Sequence, residues 1–241
     1  MKILIISGFL GAGKTTFIQE LAKRTGKDFA VMENEYGAID VDGSLLKQEA
    51  QKAGADLKIW EMTEGCICCS VKADFASSVL TIANAVDPEY LVVEPTGVGM
   101  LSRILENLRK IQYDRISLLQ PVTVADAKHL PRMLQDYPEI CRDQLTAAGT
   151  VVLSKCEGLD QETLSRLSSM IREIAPGANI LQSHYREQPD SFWEELLQTP
   201  LSGSGPEKGE EGPAPEHLGL TGVRLAGERE LVLFLTGVVS G

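Results

Sequence analysis

Eight residues near the start constrain this chain most: Gly8-Phe9-Leu10-Gly11-Ala12-Gly13-Lys14-Thr15, a full G-x-x-x-x-G-K-[ST] pattern. Ahead of it, Lys2 to Ser7 is a short, almost wholly apolar run, which reads as a buried parallel strand. Behind it, Phe17, Ile18, Leu21 and Ala22 recur at helical spacing, and Gly26 is a fitting stop. Strand, glycine loop and helix in that order form the setting in which the motif cradles phosphates. Gly11, Ala12 and Gly13 let successive backbone N–H groups turn toward phosphate oxygens, and the helix start adds partial positive charge. Lys14 has the reach for β- and γ-phosphates, Thr15 offers a hydroxyl to Mg²⁺, and Thr16 continues the cradle.

The rest of the chain suits a sheet that carries such a loop. Further strands are expected at Phe29 to Met32, Leu57 to Trp60, Tyr90 to Val93, Ile116 to Val124, Thr150 to Leu153 and Asn179 to Leu181. Helical patterns lie between several of them, notably at Ala73 to Ala85, Met100 to Lys110 and Gln161 to Ile174. The alternation predicts an α/β fold: a mostly parallel sheet with helices on both faces and right-handed crossovers. Residues 1–198 are expected to form this nucleotide-binding domain. From 199 to 217 Gly, Pro, Ser and Glu dominate, which predicts a solvated linker. Residues 218–241 hold one strand pattern, Leu218 to Leu225, and one amphipathic helix pattern, Glu228 to Val239. They are expected to be a docked tail or the beginning of an incomplete second domain.

The strand ending at Glu94 continues into Pro95-Thr96-Gly97. A carboxylate at a strand's carboxyl end beside a phosphate loop suits the Mg²⁺ shell or the orienting of water. Gly97 is placed to give its N–H to a γ-phosphate, as switch glycines do. Glu33-Asn34-Glu35-Tyr36-Gly37, followed by Asp40 and Asp42, gathers carboxylates after the second strand. They suit Mg²⁺, a transported metal, or simply a solvated acidic loop.

Cys66, Cys68 and Cys69 fall within four residues. Thiolates favour Zn²⁺, Cu⁺ and similar metals, but so short a segment needs further ligands or a second chain to complete a tetrahedral set. The alternative is a set of small buried apolar residues. Cys141 and Cys156 stand apart and read as structural. The clustering of thiols, and the absence of a signal-peptide pattern over Met1 to Leu10, point to a reducing, cytoplasmic setting. The net charge of −11 argues against nucleic acid or anionic membrane as a partner. No apolar stretch reaches the ~20 residues that a membrane span needs.

Taken in order, G-F-L-G-A-G-K-T-T, E-N-E-Y-G with D-G-S-L-L, G-C-I-C-C, V-V-E-P-T-G and Val124-Ala125-Asp126-Ala127 resemble the CobW-type metallochaperone GTPases. The similarity runs over roughly the first 185 residues. It implies a P-loop NTPase fold of the SIMIBI-like GTPase kind. It also implies GTP hydrolysis with Mg²⁺, coupled to binding and delivery of a transition metal, Zn²⁺ or Co²⁺, or to cofactor insertion. By the same resemblance Cys66, Cys68 and Cys69, with Glu35, are metal ligands. Asp42 matches the switch aspartate, and Glu94 the Mg²⁺-associated acid, alongside Lys14 and Gly97 in catalysis. The expected partners are nucleotide, metal, an unidentified client metalloprotein and a second copy of the chain.

Two departures from the family pattern stand out. Guanine is normally read by Asn-Lys-x-Asp, whereas Ser154-Lys155-Cys156-Glu157 stands here. Glutamate still accepts both hydrogen bonds from guanine but is one methylene longer, and the Ser183-His184 loop is a second candidate base contact. Leu218 onward resembles only the first strand and helix of the family's C-terminal domain, as in a truncated gene product. Two other functions remain compatible with the phosphate loop: an ATP-dependent small-molecule kinase, and a metal-responsive partner-binding module that does not hydrolyse nucleotide.

Overall fold

The computed structural model describes residues 1–34, 57–62, 72–112, 115–181 and 183–201, all within the unit Met1–Glu210. Glu35, Asp42, Cys66, Cys68, Cys69 and residues 202–241 lie outside the described residues. In chain order the strands are β1 (Lys2–Ser7), β2 (Phe29–Asn34), β3 (Leu57–Met62) and β4 (Tyr90–Glu94), then β5 (Ser117–Leu118), β6 (Val122–Asp126), β7 (Thr150–Ser154) and β8 (Asn179–Ile180). The helices are α1 (Lys14–Thr25), α2 (Lys72–Ala85), α3 (Leu101–Arg109), α4 (Leu130–Asp136), α5 (Pro138–Thr146), α6 (Gln161–Ile174) and α7 (Asp190–Leu196).

The strands form one sheet in the order β3-β2-β4-β1-β6-β7-β8, and the pairing between its strands is parallel throughout. The chain leaves β1 toward β2 on one side, then crosses from β4 to β6 on the other. The winding therefore reverses around β1, and in such sheets ligands bind beyond the carboxyl ends of the strands at that reversal. The phosphate loop leaves β1 at this point.

Each strand sends alternate residues to opposite faces, and both faces are buried. Ile3, Ile5, Leu91, Val93, Val151 and Leu153 pack with Leu101, Ile104 and Leu108 of α3 and Leu167 and Ile171 of α6. Leu4, Ile6, Val92 and Val152 pack on the other face with Phe17, Ile18 and Leu21 of α1 and with Trp193 and Leu196 of α7. Phe17 and Trp193 are fully buried, with ring centroids 5.1 Å apart. Burying each such side chain stabilises the fold by roughly 3 kcal/mol. The mostly parallel sheet flanked by helices on both faces is thus observed. Gly26 ends α1 as expected, in the left-handed region at φ 58°, its N–H donating to Ala22 O.

One expected element is divided. Ile116 to Val124 read as a single strand, but β5 and β6 are separate. Lys2 and Ile3 of β1 face Ser117 and Leu118, whereas Ile6 and Ser7 face Val122 and Thr123. Between them Leu4 and Ile5 lie opposite Leu119, Gln120 and Pro121, so the β5–β6 segment carries one extra residue, a bulge. Pro121 has no N–H to give a ladder, and the Gln120 N–H turns outward to Thr199 O at 2.9 Å. Leu201 N–H donates to Leu118 O at 2.9 Å, which ties the end of the described chain beside β5.

Candidate functional site

The phosphate loop is shaped by three glycines in conformations that side chains resist. Gly11 and Gly13 are left-handed at φ 70° and 92°. Gly8, at φ 143°, lies so close to the Val124 carbonyl of β6 that a Cβ would have no room. Ala12 N–H closes the loop by donating to Phe9 O at 3.1 Å. α1 begins directly after the loop with no acidic residue in its first turn and no side-chain cap. Its positive end is thus available to an anion.

Lys14 is buried at 7% exposure, its Nζ 3.4 Å from Phe9 O and 3.7 Å from Glu94 Oε1. The Thr15 hydroxyl lies 3.3 Å and 3.2 Å from the two Glu94 carboxylate oxygens. The expected pairing of Glu94 with the loop is therefore present in the geometry. A hydroxyl and a carboxylate facing each other at this range are hard oxygen donors of the kind Mg²⁺ takes, and the residues fit that ion. Gly97 packs against the backbone of Phe9 and Leu10, again without space for a Cβ. Lys14, Thr15, Glu94 and Gly97 thus converge. For Gly11, Ala12, Gly13 and Thr16 the position in the loop and first helical turn is as expected.

The base-side segment leaves β7 close by. Ser154 is buried, and its hydroxyl donates to Ala12 O at 2.6 Å, with Ala125 O at 3.3 Å. It braces the phosphate loop. Lys155, in the left-handed region at φ 55°, reaches back to Asp126 Oδ2 at 2.8 Å. His129 Nδ1 meets the same oxygen at 2.9 Å, and the backbone N–H of Lys128 donates to Asp126 Oδ1 at 2.9 Å. Burial pushes the Asp126 carboxyl up, but the bonds from Lys155, His129 and Lys128 outweigh it and hold the group below its ordinary range.

Glu157 is exposed at 72%, with its Oε1 3.7 Å from His184 Nε2. His184 Nδ1 accepts from Arg186 N–H at 3.1 Å, so the neutral ring carries its proton on Nε2, toward Glu157. Glu157 and His184, both expected near the base, are thus neighbours. Cys141 and Cys156 are free and buried. Burial pushes the Cys141 thiol up to about 11, which suits a structural thiol and not a metal ligand.

Sequence reasoning missed the brace beside Gly97. Gln144 of α5 bonds to the segment after β4, Asp143 to Ser102 at the start of α3, and the Tyr137 ring lies tilted against Phe9 with centroids 5.3 Å apart. These residues belong to no motif, and α4 and α5 are short helices separated by Tyr137 alone, too brief for a clear period.

The model of the CobW/HypB/UreG nucleotide-binding domain matches residues 2–182, well over half of the chain. The chain belongs to this family. Among curated relatives, the zinc chaperone CobW of Pseudomonas aeruginosa is 27% identical over 217 residues, covering 78% of this chain and 58% of its own length. The zinc chaperone YeiR of Escherichia coli is 32% identical over 188 residues, covering 75% of this chain and 54% of its own length. The chain spans about half the length of the curated relatives it matches. Among solved structures, the Zn(II)-bound YjiA GTPase of E. coli superposes with a TM-score of 0.56 at 20% identity, over 75% of this chain and 57% of that one. At that identity the likeness speaks for the fold, which is that of the P-loop GTPases. Among the described residues no helix is long and apolar enough to cross a membrane.

Proposed function

We propose that this member of the family binds GTP with Mg²⁺, hydrolyses it, and couples the cycle to binding and delivery of a transition metal of the zinc or cobalt class. The observation that carries the reading is Thr15 and Lys14 meeting Glu94 beneath the phosphate loop. Lys14 would exchange its Glu94 contact for β- and γ-phosphate oxygens, releasing the carboxylate to work with the Thr15 hydroxyl on Mg²⁺. Mg²⁺ held by Thr15 and Glu94 would supply charge neutralisation on the phosphates and on the leaving group. Gly97 would meet the γ-phosphate, and Glu157, with His184 beside it, would accept from the guanine N1–H and exocyclic amine.

Cys66, Cys68 and Cys69, with Glu35, would hold the transported metal, and Asp42 would act in the switch. The names of the zinc chaperones support the metal class. If GTP changes metal affinity, metal changes GTP affinity by the same factor. The intended recipient is a client metalloprotein, and a homodimer is one way to complete the ligand set.

The test is a GTP-against-ATP affinity measurement in the presence of Zn²⁺, Co²⁺ or chelator, on wild type and a Cys68→Ala, Cys69→Ala double variant. GTP preference, and a metal-induced shift in GTP affinity that the double variant lacks, are expected. An ATP preference would turn the reading toward a kinase. Metal binding that is absent, or unchanged by the cysteine substitutions, would sink the coupling.

A further inference from the structure

Gln144 lies on α5, far in sequence from every motif at the site, and it is buried at 3% exposure. Its Nε2 donates to two carbonyls of the segment after β4, Gly97 O at 3.1 Å and Gly99 O at 2.9 Å. Burying a primary amide is costly unless its N–H groups are paired, and here both are directed at one short turn. Gly99 N–H donates to Thr96 O at 2.9 Å within the same turn, which is therefore closed on itself and gripped from outside.

Gln144 is itself held firmly. Its backbone carbonyl accepts from the Thr123 hydroxyl of β6 at 2.7 Å. The adjacent Asp143 accepts from Ser102 N–H at 3.1 Å and from the Ser102 hydroxyl, at the first turn of α3. The residue just before α5, Tyr137, packs its ring at a tilt against Phe9 of the phosphate loop. Helix α5 and the residue that precedes it thus touch both partners of the Gly97 contact: the loop through Tyr137, and the turn through Gln144, with Asp143 holding the start of α3 that follows the turn.

We propose that Gln144 is a positioning residue for γ-phosphate turnover. By gripping the Gly97 and Gly99 carbonyls it keeps the Gly97 turn against the phosphate loop, ready for a triphosphate. A diphosphate is held by the loop and α1 alone and gains nothing from this grip. The proposal rests on the reading of the chain as a GTPase.

The experiment uses the full chain and the variant Gln144→Met, which keeps length and volume but removes both donors. Single-turnover hydrolysis at saturating GTP, GDP affinity, and amide exchange of residues 97–100 without nucleotide are measured together. Expected are a roughly tenfold slower hydrolysis step and roughly tenfold faster exchange, within the scale of the two lost hydrogen bonds, with GDP affinity within about twofold of wild type. Gln144→Glu, of the same length and presenting an acceptor, is the second variant should Gln144→Met fail to fold, and the same pattern is expected of it. A raised KM with unchanged turnover at saturation, or GDP affinity falling in parallel, overturns the proposal in favour of a merely structural role. Unchanged amide exchange overturns the grip itself. A wild type that turns over no GTP overturns the GTPase reading and this proposal with it, whereas an active wild type matched by Gln144→Met removes the proposal alone.

Discussion

Glu94→Gln separates the two duties assigned to this carboxylate, because it keeps the size and an acceptor for Thr15 while removing the charge. Lys14 is buried at 7% exposure and lies 3.7 Å from Glu94 Oε1. At an effective dielectric near 20 this pair is worth about 4 kcal/mol of gross attraction. Desolvation of both groups offsets part of that, but removing one partner leaves the other charge buried and unmatched. A net loss of roughly 2–3 kcal/mol in unfolding free energy is expected without nucleotide. Saturating GDP without Mg²⁺ supplies phosphate oxygens as new partners for Lys14, so the gap between variant and wild type should shrink to under about 1 kcal/mol. Urea unfolding of both proteins, with and without GDP, reads both numbers. A parallel Mg²⁺ titration of nucleotide dissociation should show at least ~tenfold weaker Mg²⁺ dependence in the variant. Equal stability of the two nucleotide-free proteins would refute the ion-pair argument. An unchanged Mg²⁺ dependence would refute the assignment of Glu94 to the ion.

Asp126 is held below its ordinary carboxyl range when folded, so the stability it adds is complete above about 3.8 and is lost as pH falls below that value through the folded pKa. Asp126→Asn should therefore lower Tm at pH 7 and flatten the acid limb of the Tm–pH curve, and a limb as steep as wild type would contradict the assignment. Glu157→Asp restores the family's usual side chain at an exposed position, so GTP preference over ATP should be unchanged or improved. A clear loss of preference in competition binding would contradict the base-site placement. Phe17→Ala removes a fully buried ring packed on Tyr185 and Trp193 and should cost about 3–5 kcal/mol in urea unfolding, with a loss under 1 kcal/mol counting against that packing.

What was legible in the sequence is what depends on neighbours along the chain. The phosphate loop, the stop at Gly26, α6 and the acid at the end of β4 are each written in a few consecutive residues. The bulge beside β1 was hidden because Ile116 to Val124 has unbroken strand character, and only the pairing with a distant segment shows that one residue is surplus. Gln144 was hidden for the same reason: a lone glutamine in a helix carries no sign that Gly97 and Gly99 will face it. Ser154 shows how a local reading and a tertiary one divide the work. From the sequence it is a shortened base-motif residue whose meaning is a weakened guanine site. In the fold its hydroxyl reaches Ala12 O at 2.6 Å, so its immediate task is to brace the phosphate loop from β7. On the proposed reading, guanine recognition would then fall chiefly to Glu157. The extra methylene of Glu157 and the His184 ring 3.7 Å from its carboxylate would then have to be weighed as a pair.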